Sequence, residues 1–171
     1  FSIFSMIADV NPSFPTAATA QWDPKTDLDV FENLISDLLQ TPKLVKTMGL
    51  STRLAIQAVA AAAPEFSCPP ERRGLIVCQG GDRIDYSEVT PHFSALDDSN
   101  PSYAKATRRT PPLWLLQQLP NMTAAHLARE WEVRGATHSF NQDELPLDQG
   151  NTTARLLFEL DEVDELLFVA S

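Results

Sequence analysis

Arg73-Gly74-Leu75-Ile76-Val77-Cys78, closed by Gly80-Gly81, is the stretch whose reading sets the architecture. It is a short apolar run without polar alternation, so both faces of the strand it forms must be covered, the pattern of a buried parallel strand. Upstream, Leu54, Ala55, Ala58, Val59 and Ala62 recur at helical spacing and give a small-residue face, so a helix is predicted over about 51–63, stopped by Pro64. Before it, Val30, Phe31, Leu34 and Leu38 predict an amphipathic helix with Asp27 or Asp29 as cap and Pro42 as its end. Residues 1–10 read as a buried strand and 11–24 as a loop rich in Pro, Thr and Ala.

Downstream, residues 82–112 are polar and turn-rich. They read as a long loop with a short helix near 86–96, and such loops are usually functional or interface-forming. A helix is predicted over 121–131, with Met122, Ala125 and Leu127 facing inward. A strand follows over 136–140 after the Gly135 turn, then a helix over about 149–160 and a strand over 165–170. That alternation predicts an α/β fold, a mixed or parallel sheet flanked by helices, in a single domain spanning 1–171. The helix over 149–160 carries Asp148, Gln149, Arg155, Glu159 and Asp161 on or beside it. It is therefore expected to lay Ala154, Leu157 and Phe158 on one sheet and leave its polar side outward, because burying those charges without partners would cost several kcal/mol.

The chain has 171 residues, is 43% hydrophobic, and carries a formal charge of −10. A domain of this size buries roughly 70% of its unfolded-chain surface, enough for a real core. The acidic balance argues against nucleic acid, whose affinity is built from Lys and Arg that release counterions. It also leaves an acidic carrier protein only local basic pairs to land on, Arg72-Arg73 or Arg108-Arg109, unless another subunit supplies the site. Only Cys68 and Cys78 are present, with no disulfide framework and no four-ligand zinc pattern, so no metal is expected and a reduced, cytoplasmic setting fits best. No apolar run reaches the roughly 18 residues of a membrane span, and residues 1–10 lack the basic start of a signal peptide. The chain opens on Phe1 and not Met, which fits a trimmed N-terminus. Gly80-Gly81 lacks the Walker lysine and the Gly-x-Gly-x-x-Gly spacing of a phosphate loop, and no cofactor is expected. Asn121-Met122-Thr123 and Asn151-Thr152-Thr153 match the glycosylation sequon, which needs a secretory context to be used. The run Asp161-Glu162-Val163-Asp164-Glu165 reads as a solvated turn, Cys78 as a small buried hydrophobe and Cys68 as exposed.

Two stretches resemble the N-terminal half of the β-ketoacyl synthases of the thiolase fold. Leu113-Trp114-Leu115-Leu116-Gln117-Gln118-Leu119-Pro120-Asn121-Met122-Thr123-Ala124-Ala125-His126-Leu127-Ala128 looks like the helix leading into the nucleophile strand of those enzymes. Val133-Arg134-Gly135-Ala136-Thr137-His138-Ser139-Phe140 is similar to their R-G-P-x-x-T-x-S strand. Weaker likeness covers 48–62, 73–81 and 166–171. The resemblance implies the N-terminal half of a thiolase-like (ketosynthase) fold. It places the family's nucleophilic Cys on Glu144, and a carboxylate cannot hold an acyl chain as a thioester. The family's two catalytic His residues belong to a C-terminal half that this sequence does not reach, so a non-catalytic subunit is expected. That combination resembles the chain length factors of type II polyketide synthases, which pair with a catalytic ketosynthase, and a shortened partner of this kind would suit aryl polyene biosynthesis.

The resemblance also implies an interface. In the family the strand matching Thr137, His138, Ser139, Phe140 and Asn141 pairs with its counterpart across the dimer, with Trp114, Leu115, Leu116 and Met122 nearby. Trp114 sits where a bulky residue reaches toward the partner's acyl pocket. Ile84 and Val89, in a stretch similar to the length-setting end of the tunnel, are expected to line it with Trp114. The partners implied are a catalytic ketosynthase, as a heterodimer, and an acyl carrier protein reached through the complex, with neither nucleic acid nor membrane involved. The plain structural alternatives are an internal sheet strand over 137–141 and a plain core or interface tryptophan at 114. The enzyme alternative is a malonyl- or acyl-carrier-protein decarboxylase or hydrolase using Glu144 and His138. It has no evident orienting third group, and a lone His on a strand is more often structural. A stand-alone carrier-protein docking module is the third reading, and the acidic balance counts against it.

Overall fold

The computed structural model describes residues 3–9, 16–20, 28–80, 113–117, 119, 121–142 and 144–170, with only the backbone described up to residue 32 and at Leu115. In chain order the elements are β1 (Ile3–Asp9), β2 (Thr16–Ala20), α1 (Leu28–Leu38), a 3-10 helix (Pro42–Thr47), α2 (Leu50–Ala62) and a 3-10 turn (Pro70–Arg72). Then come β3 (Arg73–Gly80), α3 (Trp114–Gln117), α4 (Met122–Glu130), β4 (Thr137–Gln142), α5 (Leu147–Glu159) and β5 (Glu165–Ala170).

The five strands form one mixed sheet in the order β2-β1-β5-β3-β4. β5, β3 and β4 are parallel, with Leu75 opposite both Leu167 and Thr137, while β1 runs antiparallel to β5 and β2. The apolar run of β3 is thus flanked by a parallel strand on each side, as its lack of alternation predicts. From β3 the chain steps outward to β4, then crosses back over β3 to β5. Two right-handed crossovers of opposite direction must lie on opposite faces. That is the arrangement found. α4 joins α1 and α2 on one face, in a cluster with Ile35, Ile56, Val59, Leu75, Val77, Leu127, Leu167 and Val169. α5 covers the other, where Leu157 packs on Ile76, Cys78, Leu166, Phe168 and Ala170. Full burial of such aliphatic side chains stabilises the fold by about 1.5–3 kcal/mol each.

The helical face expected for α2 is the one observed: Leu54, Ala55, Ala58, Val59 and Ala62 are all buried. The chain leaves that helix at Ala63, in the left-handed region at φ 45°, just before Pro64. β5 has the expected limits, and Ala154, Leu157 and Phe158 do face the sheet.

Four expectations need correction. Residues 16–20 form β2 instead of loop, since an Ala-Thr run without large apolar side chains gives no period-2 signal but still ladders against β1. In α1, Ile35 (0%) and Leu39 (6%) are buried while Leu34 and Leu38 are 47% and 43% exposed. Both pairs are four residues apart, so spacing alone does not choose between the stripes. In α4, Ala125 is exposed and Met122 half-buried, and Thr123, Ala124, His126 and Leu127 are buried. The acidic turn is only partly solvated: Val163 and Glu165 are buried, and Asp161 and Asp164 pair with Arg72 at 2.6 Å. The loop and short helix expected over 82–112, with Ile84 and Val89, lie outside the described residues. Among the described residues no helix is long and apolar enough to cross a membrane, and no three His, Cys, Asp or Glu side chains form a group that could hold a metal ion.

Candidate functional site

β4 is built by its entry. A Cβ on Gly135 would lie 2.6 Å from the Arg73 carbonyl oxygen and 2.7 Å from that of Glu71, so only glycine lets the chain pass this close to residues 71–73. The Arg134 and Gly135 N–H groups donate to Pro70 O (2.9 Å) and Arg73 O (3.1 Å), and Leu75 N donates to Ala136 O (2.9 Å). These bonds fix the parallel register in which Ile76, Val77 and Cys78 face His138, Ser139 and Phe140.

β4 is the last strand of the described sheet, with β3 on one side only. Thr137, His138, Ser139, Asn141 and Gln142 are exposed and Phe140 is half-buried. Alternation places His138, Phe140 and Gln142 on the α5 side of the sheet, with Thr137, Ser139 and Asn141 on the α4 side. Phe140 packs on the Cys78–Phe168 cluster, and the His138 and Phe140 rings stack with centroids 6.3 Å apart. Gln142 Nε2 donates to Gln149 Oε1 at 2.9 Å, which ties the strand end to α5.

Glu144 lies exposed on the turn from β4 into α5. That turn is pressed onto the end of β3: a Cβ on Gly80 would come within 2.9 Å of the Leu145 nitrogen. Pro146 is buried, and its carbonyl accepts from the Cys78 thiol at 3.5 Å and from Gly150 N at 3.1 Å. Burial pushes the Cys78 thiol up to about 11, against the lowering effect of the Gly150 N–H. Among the described residues neither a hydrogen bond nor an ion pair joins Glu144 to His138.

The residues expected to form one interface fall in two places. The five residues of β4 lie on the sheet edge. Trp114, half-buried, belongs to the single turn α3, which packs on the Pro42–Thr47 helix, and Leu116 beside it is 36% exposed. Gln117 Nε2 donates to Lys46 O at 3.0 Å, and the Gln117 carbonyl would lie 2.9 Å from a Cβ on Gly49. Met122, at the start of α4, is half-buried.

Sequence reasoning missed a buried polar cluster at the C-terminal end of β3. Gln79 (1% exposed) donates through Nε2 to Thr123 Oγ1 (3.2 Å) and Ser51 Oγ (3.4 Å), and Thr123 and Thr52 share a 2.7 Å hydroxyl hydrogen bond. It joins the first turns of α2 and α4 at the strand edge where open α/β sheets gather their ligands. The signal was present: Gln79 is the one polar residue closing an apolar run, and Ser51-Thr52 and Thr123 each stand in a first helical turn. His126, also buried, has Nε2 3.2 Å from Thr47 Oγ1, and burial holds its pKa below the ordinary value.

The basic pair offered as a landing site is already occupied. Arg72 binds the Asp161 and Asp164 carboxylates, while Arg73 donates to the Cys68 and Trp131 carbonyls and lies 5.0 Å over the Phe66 ring. Arg108-Arg109 lies outside the described residues. Cys68 is half-buried instead of exposed; burial, and then a hydrogen bond to Glu165, pushes its thiol up to about 11.

No protein-family model matches this chain, and no curated protein matches it.

Proposed function

We propose that the chain is a non-catalytic, ketosynthase-like subunit of the chain-length-factor kind, built as the N-terminal half of a thiolase-like fold. In this reading it pairs in the cytoplasm with a catalytic ketosynthase and helps shape the acyl tunnel, meeting acyl carrier protein only through the complex. The observation that carries the reading is the coincidence of sequence resemblance with position. The strand similar to the family's R-G-P-x-x-T-x-S segment is β4, the last strand of the described sheet, with five of its six residues exposed. A strand at this end of the described sheet suits pairing with a partner strand, with Thr137 and Asn141 alternating against His138 and Phe140 for specificity. The turn that follows carries Glu144 where a thiolate would be needed, so acyl transfer falls to the partner.

The test is co-expression with a cysteine-containing ketosynthase encoded beside this chain. The pair is expected to co-elute as a heterodimer, and Asn141→Pro, which removes a strand N–H, is expected to release it. A monomer that ignores such a ketosynthase overturns the proposal. So does turnover of malonyl- or acyl-carrier protein by the chain alone, lost in Glu144→Ala.

A further inference from the structure

The acidic residues of this chain are unevenly placed. No Asp or Glu occurs between Asp37 and Glu65 or between Asp98 and Glu130, and those two runs hold seven of the thirteen Lys and Arg residues but none of the twenty-three acids. The fold brings the described parts of both runs together. Thr52 meets Thr123, Gln117 Nε2 donates to Lys46 O, and Arg129 Nη2 donates to Thr41 Oγ1 at 3.0 Å.

One face results, made of the Pro42–Thr47 helix, the start of α2, α3 and the end of α4. Lys43 and Lys46 are exposed and three residues apart, so on a 3-10 helix they stand side by side. Neither has an ion pair with a described residue. Arg129 flanks them at Thr41, and Arg53 flanks them at the other end, its guanidinium held by the Met48 and Val45 carbonyls. On the start of α2 and on and beside α3, which packs on the Pro42–Thr47 helix, Leu50, Leu113, Leu116 and Leu119 are 36–39% exposed. Asp37 and Glu130 bound these runs in sequence, and the Glu130 carboxylate accepts from Gln40 N at 2.7 Å.

We propose that this face docks an acidic amphipathic helix of a partner protein. Cations alone would suit any polyanion, but exposed leucines on the neighbouring elements fit a ligand that carries apolar side chains beside its carboxylates. A nucleic acid uses only the cations and leaves the exposed leucines without an apolar partner. The proposal needs neither β4 nor Glu144, so it stands or falls apart from the ketosynthase reading.

The probe is a fluorescently labelled helical peptide of Glu and Leu in amphipathic spacing, titrated with the full chain and followed by anisotropy. Binding is expected to weaken with added salt, and Lys43→Glu with Lys46→Glu is expected to weaken it about tenfold or more. Arg155→Glu, a cation outside the face, is expected to leave it unchanged. Circular dichroism checks that the variants stay folded, and Lys43→Gln with Lys46→Gln replaces the reversed pair if they do not. The proposal is overturned if the peptide does not bind or if Arg155→Glu weakens binding equally. It is also overturned if a peptide with Ser for Leu binds as well, or if a short DNA duplex binds more tightly than the peptide.

Discussion

The hydroxyls of Thr52 and Thr123 lie 2.7 Å apart in the interior, one on α2 and the other on α4. Each is the other's partner, and Gln79 completes the set. Replacing Thr52 by Val takes one hydrogen-bond partner from the buried Thr123 hydroxyl, at an expected cost of about 1–3 kcal/mol. The double variant Thr52→Val, Thr123→Val removes both hydroxyls and should cost less than the sum of the single changes. Urea denaturation of the four proteins measures the coupling, and strict additivity would contradict the pairing.

Acidification should destabilise the fold in two stages. His126 is held below its ordinary value of 6.5 by burial, so its contribution is intact above that pH and is lost as pH falls through the folded value. Glu165 comes next. Burial alone would raise its pKa, but hydrogen bonds from Ser67 N (2.9 and 3.0 Å), Ser67 Oγ and Cys68 N hold it below the ordinary 4.5. Its stabilisation is therefore present above pH 4.5 and is lost as pH falls through the lower folded value. Melting temperature against pH should lose the first stage in His126→Gln and the second in Glu165→Gln.

Gly150 is the point at which α5 touches the sheet. A Cβ there would run into Cys78 Sγ and fall 2.8 Å from the Phe168 ring. Gly150→Ala should destabilise the chain by about 1–3 kcal/mol through overpacking. Cys78→Ala in the same chain should return part of that loss, because one of the two obstructing groups is gone. Thermal unfolding of both variants decides the point.

The two thiols should be slow toward Ellman's reagent in the native protein. With thiols pushed up to about 11, roughly one molecule in a thousand carries a thiolate at pH 8. Cys78, fully buried, should lag Cys68, and guanidinium should release both at once. Fast native labelling of Cys78 would show that the contact between α5 and β3 opens readily.

The sequence was most legible where burial left no choice. The run Leu75 to Cys78 is apolar throughout and became the strand paired on both sides, and the small-residue face of α2 turned inward as its spacing required. In α1 two stripes satisfied the same periodicity, and only packing against α2 and the 3-10 helix decided for Ile35 over Leu34. Residues 161–165 carry four carboxylates among five positions, which reads as solvent-facing, yet Ser67 and Arg72 supply donors from a distant segment. The candidate site was half legible. The strand over 136–140 could be read from the Gly135 turn and the strand pattern, and it stands at Thr137–Gln142, whereas the Gln79–Thr123–Ser51 cluster depends on three segments that meet only in space.

β5 is the only described strand joining the β1–β2 hairpin to the β3–β4 pair. It is also the last of the five to be synthesised. Until residues 165–170 have left the ribosome, the hairpin and the parallel pair each keep an open ladder edge, and the apolar side chains of β3 lack one neighbour. Assembly of the described sheet therefore waits for β5, and a nascent chain shorter than that carries two pieces that no strand ladder joins, the state in which chaperone capture or misassociation is most expected.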